Sequence, residues 1–264
     1  MKSNIRGIMK SQIYQLVRSR NLKAVLLGVL VLTVFFGASD WISEGKGTTA
    51  CGFFIMMLPM VLNLVNFMIA IITGMVCADD FTDKTANYEL TSGRLRSESF
   101  AARTIVSVVF SVLASLFMVA ALLVTCLLLY PRGYELTNSA IAQRVLLLIP
   151  VFIRFSCFYV LISYIVKKPI AVVGICYAII CVLGIILGMT GGGETNRMLT
   201  AFGSFQLVCH FEEWHTYGLN TDAYYVYEQF VGSGTAAALV VVSLAVSAVY
   251  LLLGYSYFHR DDIQ

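Results

Sequence analysis

Six long apolar runs dominate the chain and leave it few possible folds. They cover Ala24–Trp41, Gly52–Cys77, Thr104–Tyr130, Val145–Val166, Ile170–Met189 and Thr235–Phe258. A bilayer's hydrocarbon core is about 30 Å thick and takes roughly 20 apolar residues of helix. Each run is flanked by charges, turn residues or interfacial aromatics, as a helix leaving a bilayer requires. The runs are continuously apolar rather than alternating, which counts against a membrane β-barrel. Composition agrees. Hydrophobic residues make up 59% of the chain and charged ones 12%, against about 45–50% and about 25% in soluble domains. So little charge cannot cover a water-exposed surface. The expected fold is all-α: a polytopic membrane protein with six transmembrane helices, forming one domain over residues 1–264. With three His and a net charge of +3, neither a nucleic-acid partner nor a charged-substrate enzyme is favoured.

Orientation follows from the basic residues. Lys2, Arg6, Lys10, Arg18, Arg20 and Lys23 precede the first run. Lys84, Arg94, Arg96 and Arg103 lie in the second connection, Lys167 and Lys168 in the fourth, and Arg260 after the last run. The other side holds only Lys46, Arg132, Arg144 and Arg197. Positive residues stay inside, so both termini are expected in the cytoplasm of a cell-membrane protein, in contact with its lipids. The segment before the first run is too long and too amphipathic for a signal n-region. Ile5, Met9, Ile13 and Leu16 fall on one side of a helical wheel, so residues 1–23 are expected to hold an interfacial helix on the inner leaflet. A solvated basic tail that merely sets topology is the plainer alternative.

The seven cysteines lie mostly within or beside the runs and include no CxxC pair, so a metal or redox motif is not expected. Cys51 and Cys209 could both face outward and pair. Buried small apolar residues are the ordinary reading of all seven.

Residues 78–103 form the longest inward-facing connection after the N-terminus. Helix formers surround a break at Thr91–Gly93, which predicts a short helix, a turn and a second helix feeding the third run. Most connections run about 4–6 residues. One this long, carrying Phe81, Tyr88 and Leu90, reads as a surface that docks on a cytosolic partner.

Here the chain resembles the type-2 ABC-transporter permeases. Phe81, Lys84, Thr85, Leu90, Ser92, Gly93, Arg96, Phe100 and Arg103 follow the spacing of that family, and Tyr257–Ile263 resembles its close. Members often carry Gly before the Thr, where this chain has Lys84. The resemblance implies a bacterial peptide or drug exporter's membrane subunit that is not itself catalytic. It implies no cofactor on this chain, with ATP and Mg held by a separate cytosolic ABC ATPase. The sequence has no G-x-x-x-x-G-K-[ST] loop, and Gly191–Gly193 lacks the Lys. Phe81, Lys84, Thr85, Tyr88, Leu90, Ser92, Gly93 and Arg96 would then couple the spans to that ATPase. The plainer alternative leaves these side chains on the membrane surface. The resemblance further implies a second permease copy, in a homodimer or with a related permease.

Polar residues inside apolar runs are few. Arg154 lies thirteen residues before Lys167, about 20 Å from that end at 1.5 Å per residue. Burying it in lipid costs about 2.5–3.5 kcal/mol, so it should face protein or water. Two roles stay open: lining a pathway for an anionic part of the cargo, or bonding to carbonyls loosened by Pro150 and snorkelling outward. Asn63 and Asn66, three apart after Pro59, share a helix face. They are pathway-lining candidates, although such residues more often hydrogen-bond neighbouring helices. Gly184 and Gly188 make a G-x-x-x-G that permits close helix packing.

Residues 190–234 form a long, aromatic-rich outward connection. A loop of this length usually has structure of its own. In the resembled family short half-helices dip back between the last spans as an external gate, and Ala201–Cys209 is a candidate, with Phe202 and Phe205 as gate residues. An interfacial aromatic belt accounts for Tyr224–Phe230 equally well. His210 and His215 are five apart and do not share a helix face, so no metal site is expected.

The leading expectation is thus an ATP-driven export permease working by alternating access on amphipathic or antimicrobial peptides or drugs. The alternative is a secondary transporter or channel without an ATPase. No Asp or Glu lies deep in any run, which counts against proton coupling. An intramembrane enzyme would need paired catalytic groups at matching depth, and Asn63, Asn66 and Arg154 do not form a pair.

Overall fold

The computed structural model describes residues 5–42, 49–79, 95–133, 137–189, 197–198, 200–209, 212–216, 223–227 and 230–260. The side chains of Asp40, residues 184–189, Ala201 and both strands fall outside that description. In chain order the elements are α1 (Ile5–Arg18), α2 (Arg20–Ile42), α3 (Ala50–Cys77), α4 (Arg96–Leu129), α5 (Asn138–Val166), α6 (Pro169–Met189), α7 (Ala201–Cys209), β1 (Glu212–Thr216), β2 (Ala223–Tyr227) and α8 (Ser233–Arg260). The strands form an antiparallel ribbon with Trp214 opposite Tyr225. That ribbon takes up part of the aromatic stretch expected to lie as a belt.

Among the described residues, five helices are long and apolar enough to cross a membrane: α2 over Arg20–Ser39, then α3, α4, α5 and α8. The expected fifth span, α6, is an apolar helix but a shorter one over its fully described part, Pro169–Leu183. Capping extends the helices beyond the apolar runs. Thr49 accepts from the Gly52 N–H at 3.2 Å to start α3, and Thr137 from the Ala140 N–H at 3.4 Å to start α5. As a result Arg144, expected in an outer loop, lies inside α5. α5 ends at Lys167, whose φ of 56° is a left-handed cap, and Pro169 opens α6 because its missing N–H costs nothing there.

The bundle is inverted relative to a soluble protein. Leu128, Leu252, Met56, Val241, Leu27 and Leu113 stand outward, more than half exposed, while Arg103, Arg144 and Arg154 are buried. Water would not tolerate that skin, and lipid would not tolerate those cations on the outside. α5 is the central helix, packed against α3, α4, α6, α7 and α8. α2 and α4 run side by side. A Cβ on Gly37 would meet the Thr125 side chain at 3.0 Å, so glycine lets the two backbones close. Farther along, the Tyr130 hydroxyl accepts from the Trp41 N–H at 2.8 Å.

α1 is rotated from the expected wheel. Ile8, Gln12 and Leu16, spaced by four, form its buried face, and α1 packs against α4. Ile13, Tyr14 and Val17 point outward instead. Protein contact with α4 selected the buried stripe, which a wheel drawn for lipid alone does not anticipate.

Candidate functional site

α7 is a nine-residue helix folded back against α5, α6 and α3. Thr200 starts it by accepting from the Gly203 N–H at 2.9 Å. Gly203 is required at this place, since a Cβ there would sit 2.2 Å from the Arg197 carbonyl oxygen. Two arginines of α5, ten residues apart, hold the two ends of α7. At its start, the Arg154 guanidinium donates to the Met198 carbonyl at 2.9 Å and to Ser204 Oγ at 3.0 Å. Ser204 Oγ closes the set by donating to the same Met198 carbonyl at 3.2 Å. The Tyr250 side chain of α8 is a further hydrogen-bond partner of Arg154. At the far end, Arg144 donates to the Val208 carbonyl at 2.8 Å. A cation there complements the negative C-terminal pole of a helix.

Arg154 is 0% exposed. Of the roles weighed from sequence, neither includes the bonds it makes to Met198 and Ser204. It anchors a neighbouring element. Cys209, at the end of α7, has its thiol pushed up to about 12 by burial, with nearby Arg144 acting the other way. All seven cysteines are free, Cys51 and Cys209 among them.

Under α7 the sequence candidates converge. Asn63, Asn66, Phe202 and Phe205 line one cavity together with Phe152 and Phe155. It is narrow, with room for about one water molecule. Phe202 and Phe205 lie with centroids 6.1 Å apart and planes 18° apart, stacked over the asparagines' side of α3. The two asparagines differ. Asn66 is buried and accepts a hydrogen bond from the Tyr159 hydroxyl of α5. Asn63 is exposed, and its amide donates to the Pro59 carbonyl at 2.9 Å. Asn66 therefore ties helices together, as intramembrane Asn commonly does. Asn63 borders the cavity on an open face.

Elsewhere in the bundle the start of α4 meets the end of α8. Arg96, at the start of α4, donates to the His259 carbonyl near the end of α8 at 3.0 Å. Phe100 packs on Tyr164, Tyr255 and Phe258, with ring centroids 5.0–5.9 Å apart. Phe81, Lys84, Thr85, Tyr88, Leu90, Ser92 and Gly93 lie outside the described residues. Arg144, Ser204, Tyr159 and Tyr250 were not anticipated from sequence. Thr137, a helix-starting residue seven positions before Arg144, is the signal that could have drawn Arg144 into α5.

Long apolar helices, an apolar outer surface and buried cations define a multi-pass α-helical membrane protein. No protein-family model matches the chain, and no curated protein matches it.

Proposed function

We propose that the chain is the membrane-spanning permease subunit of an ATP-driven ABC exporter, coupled to a separate cytosolic ATPase. In this reading α6 also crosses the membrane, as the fifth of six spans in chain order, α1 lies at the inner leaflet of the cell membrane and both termini are cytoplasmic. A second permease copy completes the pathway. The cargo is amphipathic or apolar, of the antimicrobial-peptide or drug class.

One observation carries the reading. α7, lying between α6 and α8 in the chain, folds back on the spans and sets Phe202 and Phe205 over Asn63 and Asn66. A narrow cavity with room for about one water, bordered by stacked aromatic rings, suits a shut external gate. A gate tied to the central helix through Arg144 and Arg154 would follow that helix between inward- and outward-open states, a rigid-body switch. The bond from Arg96 to the His259 carbonyl supports the same switch by joining α4 to α8 at the end this reading places in the cytoplasm.

Leu90→Asp tests the coupling. Membrane insertion should be intact while the ATPase subunit no longer co-purifies. Unchanged ATPase recovery and turnover, or full-speed cargo movement in sealed vesicles without ATP, would defeat the assignment.

A further inference from the structure

We infer that the groove between α2 and α4 is a binding site for an anionic phospholipid, with the headgroup phosphate at Lys23 and an acyl chain along the groove. The groove measures about 450 Å³ and is lined almost wholly by apolar side chains. Leu27, Leu113 and Phe117 form its exposed rims, while Ala114 and the buried Met118 form its floor. A small residue at position 114 leaves a trough between two large-residue rims. From Lys23 to Leu30 the α2 wall is about 10 Å long, enough for roughly half of a common acyl chain.

Charge decides which lipid fits. Among the described residues lining the groove Lys23 is the one that carries a charge, and it stands at one end. Arg20, three residues earlier on α2, is exposed on the neighbouring turn. No carboxylate offsets them from the same stretch, because the first acidic residue of the chain is Asp40. On α4, Glu98 lies twelve residues before Phe110, about 18 Å down the helix. An apolar trough with two cations at its mouth matches a chain joined to a phosphate. A headgroup without its own cation benefits most. Phosphatidylglycerol is therefore preferred over phosphatidylcholine.

The leaflet follows from the orientation proposed above. The lipid preference does not, so it stands or falls apart from any ATPase coupling.

The test is native mass spectrometry of the purified full-length chain, titrated with equal amounts of dioleoyl phosphatidylglycerol and dioleoyl phosphatidylcholine. Wild type should retain phosphatidylglycerol over phosphatidylcholine by about fivefold, the worth of one lysine near an anionic lipid surface. Lys23→Gln should reduce the preference, Lys23→Gln combined with Arg20→Gln should bring the two lipids to parity, and Lys23→Arg should keep the preference. Ala114→Phe, which fills the trough, should reduce both lipids. Lys23 is exposed, so its variants fold, and the inference stays testable even where Ala114→Phe does not. Equal retention by wild type, or a preference undiminished by Lys23→Gln, overturns the site. Loss of a dimer on Ala114→Phe with lipid counts unchanged would give the groove to a second copy and overturn it equally.

Discussion

Arg154 of α5 and Ser204 of α7 meet at 3.0 Å, and both bond the Met198 carbonyl, closing a three-membered polar knot inside an apolar bundle. The knot does for α7 what lipid and water cannot. It satisfies a carbonyl ahead of the helix start and buries a cation among acceptors. A nine-residue helix is too short to be stable alone, so α7 owes its place to α5 and to Gly203.

Arg154→Leu should therefore destabilise the protein rather than relieve it. Two acceptors lose a buried donor at a cost of about 1–3 kcal/mol, read as a lower thermal midpoint in detergent. Arg144→Met should add a smaller loss at the other end of α7. Normal midpoints in both variants, with only transport altered, would return Arg154 to a purely pathway-lining role.

Gly203→Ala should be as damaging despite adding a single methyl. Its Cβ would sit 2.2 Å from the Arg197 carbonyl, a backbone atom that cannot swing aside. Relieving such a clash costs about 1–3 kcal/mol. Thermal unfolding at the wild-type temperature would contradict the packing of α7.

Tyr159 and Asn66 should be coupled. A double-mutant cycle of Tyr159→Phe and Asn66→Leu is expected to return about 0.6–1.7 kcal/mol, the range for polar pairs between membrane helices. Strict additivity of the two single changes would mean that the bond is not made in solution.

Cys209 should resist alkylation. Its pKa is raised to about 12, so the neutral thiol persists through physiological pH and the thiolate that reacts is scarce. With Cys51 and Cys181 replaced by Ser, labelling by N-ethylmaleimide should be slow at pH 8 and still rising at pH 10. Arg144→Met removes the cation that favours the thiolate and should slow it further. A half-saturated rate near pH 8 would show a thiol in water.

The apolar runs located the helices because membrane helices declare themselves by length and hydropathy alone, a local property. Ala201–Cys209 was legible as a helical piece for the same reason, and the basic residues proposed an orientation before any contact was known. Where the helices end was less legible. α5 begins seven residues before its apolar run, since the cap at Thr137 acts outside the hydrophobic window, whereas the start of α4 at Arg96 agrees with the second helix expected to feed the third run. The strand ribbon also escaped notice, because pairing Glu212–Thr216 with Ala223–Tyr227 depends on two segments meeting.

What the chain's order of residues settled by itself was a set of membrane-length helices, since transfer to lipid depends on each segment's own side chains. Only the tertiary structure decided what the polar residues among them do. It turned Arg154 and Arg144 toward α7, gave Asn66 to Tyr159, left Asn63 beside the cavity and bound Arg96 to the end of α8. A buried polar group takes whichever partner the fold brings within about 3 Å, and no spacing along the chain records which neighbour that is.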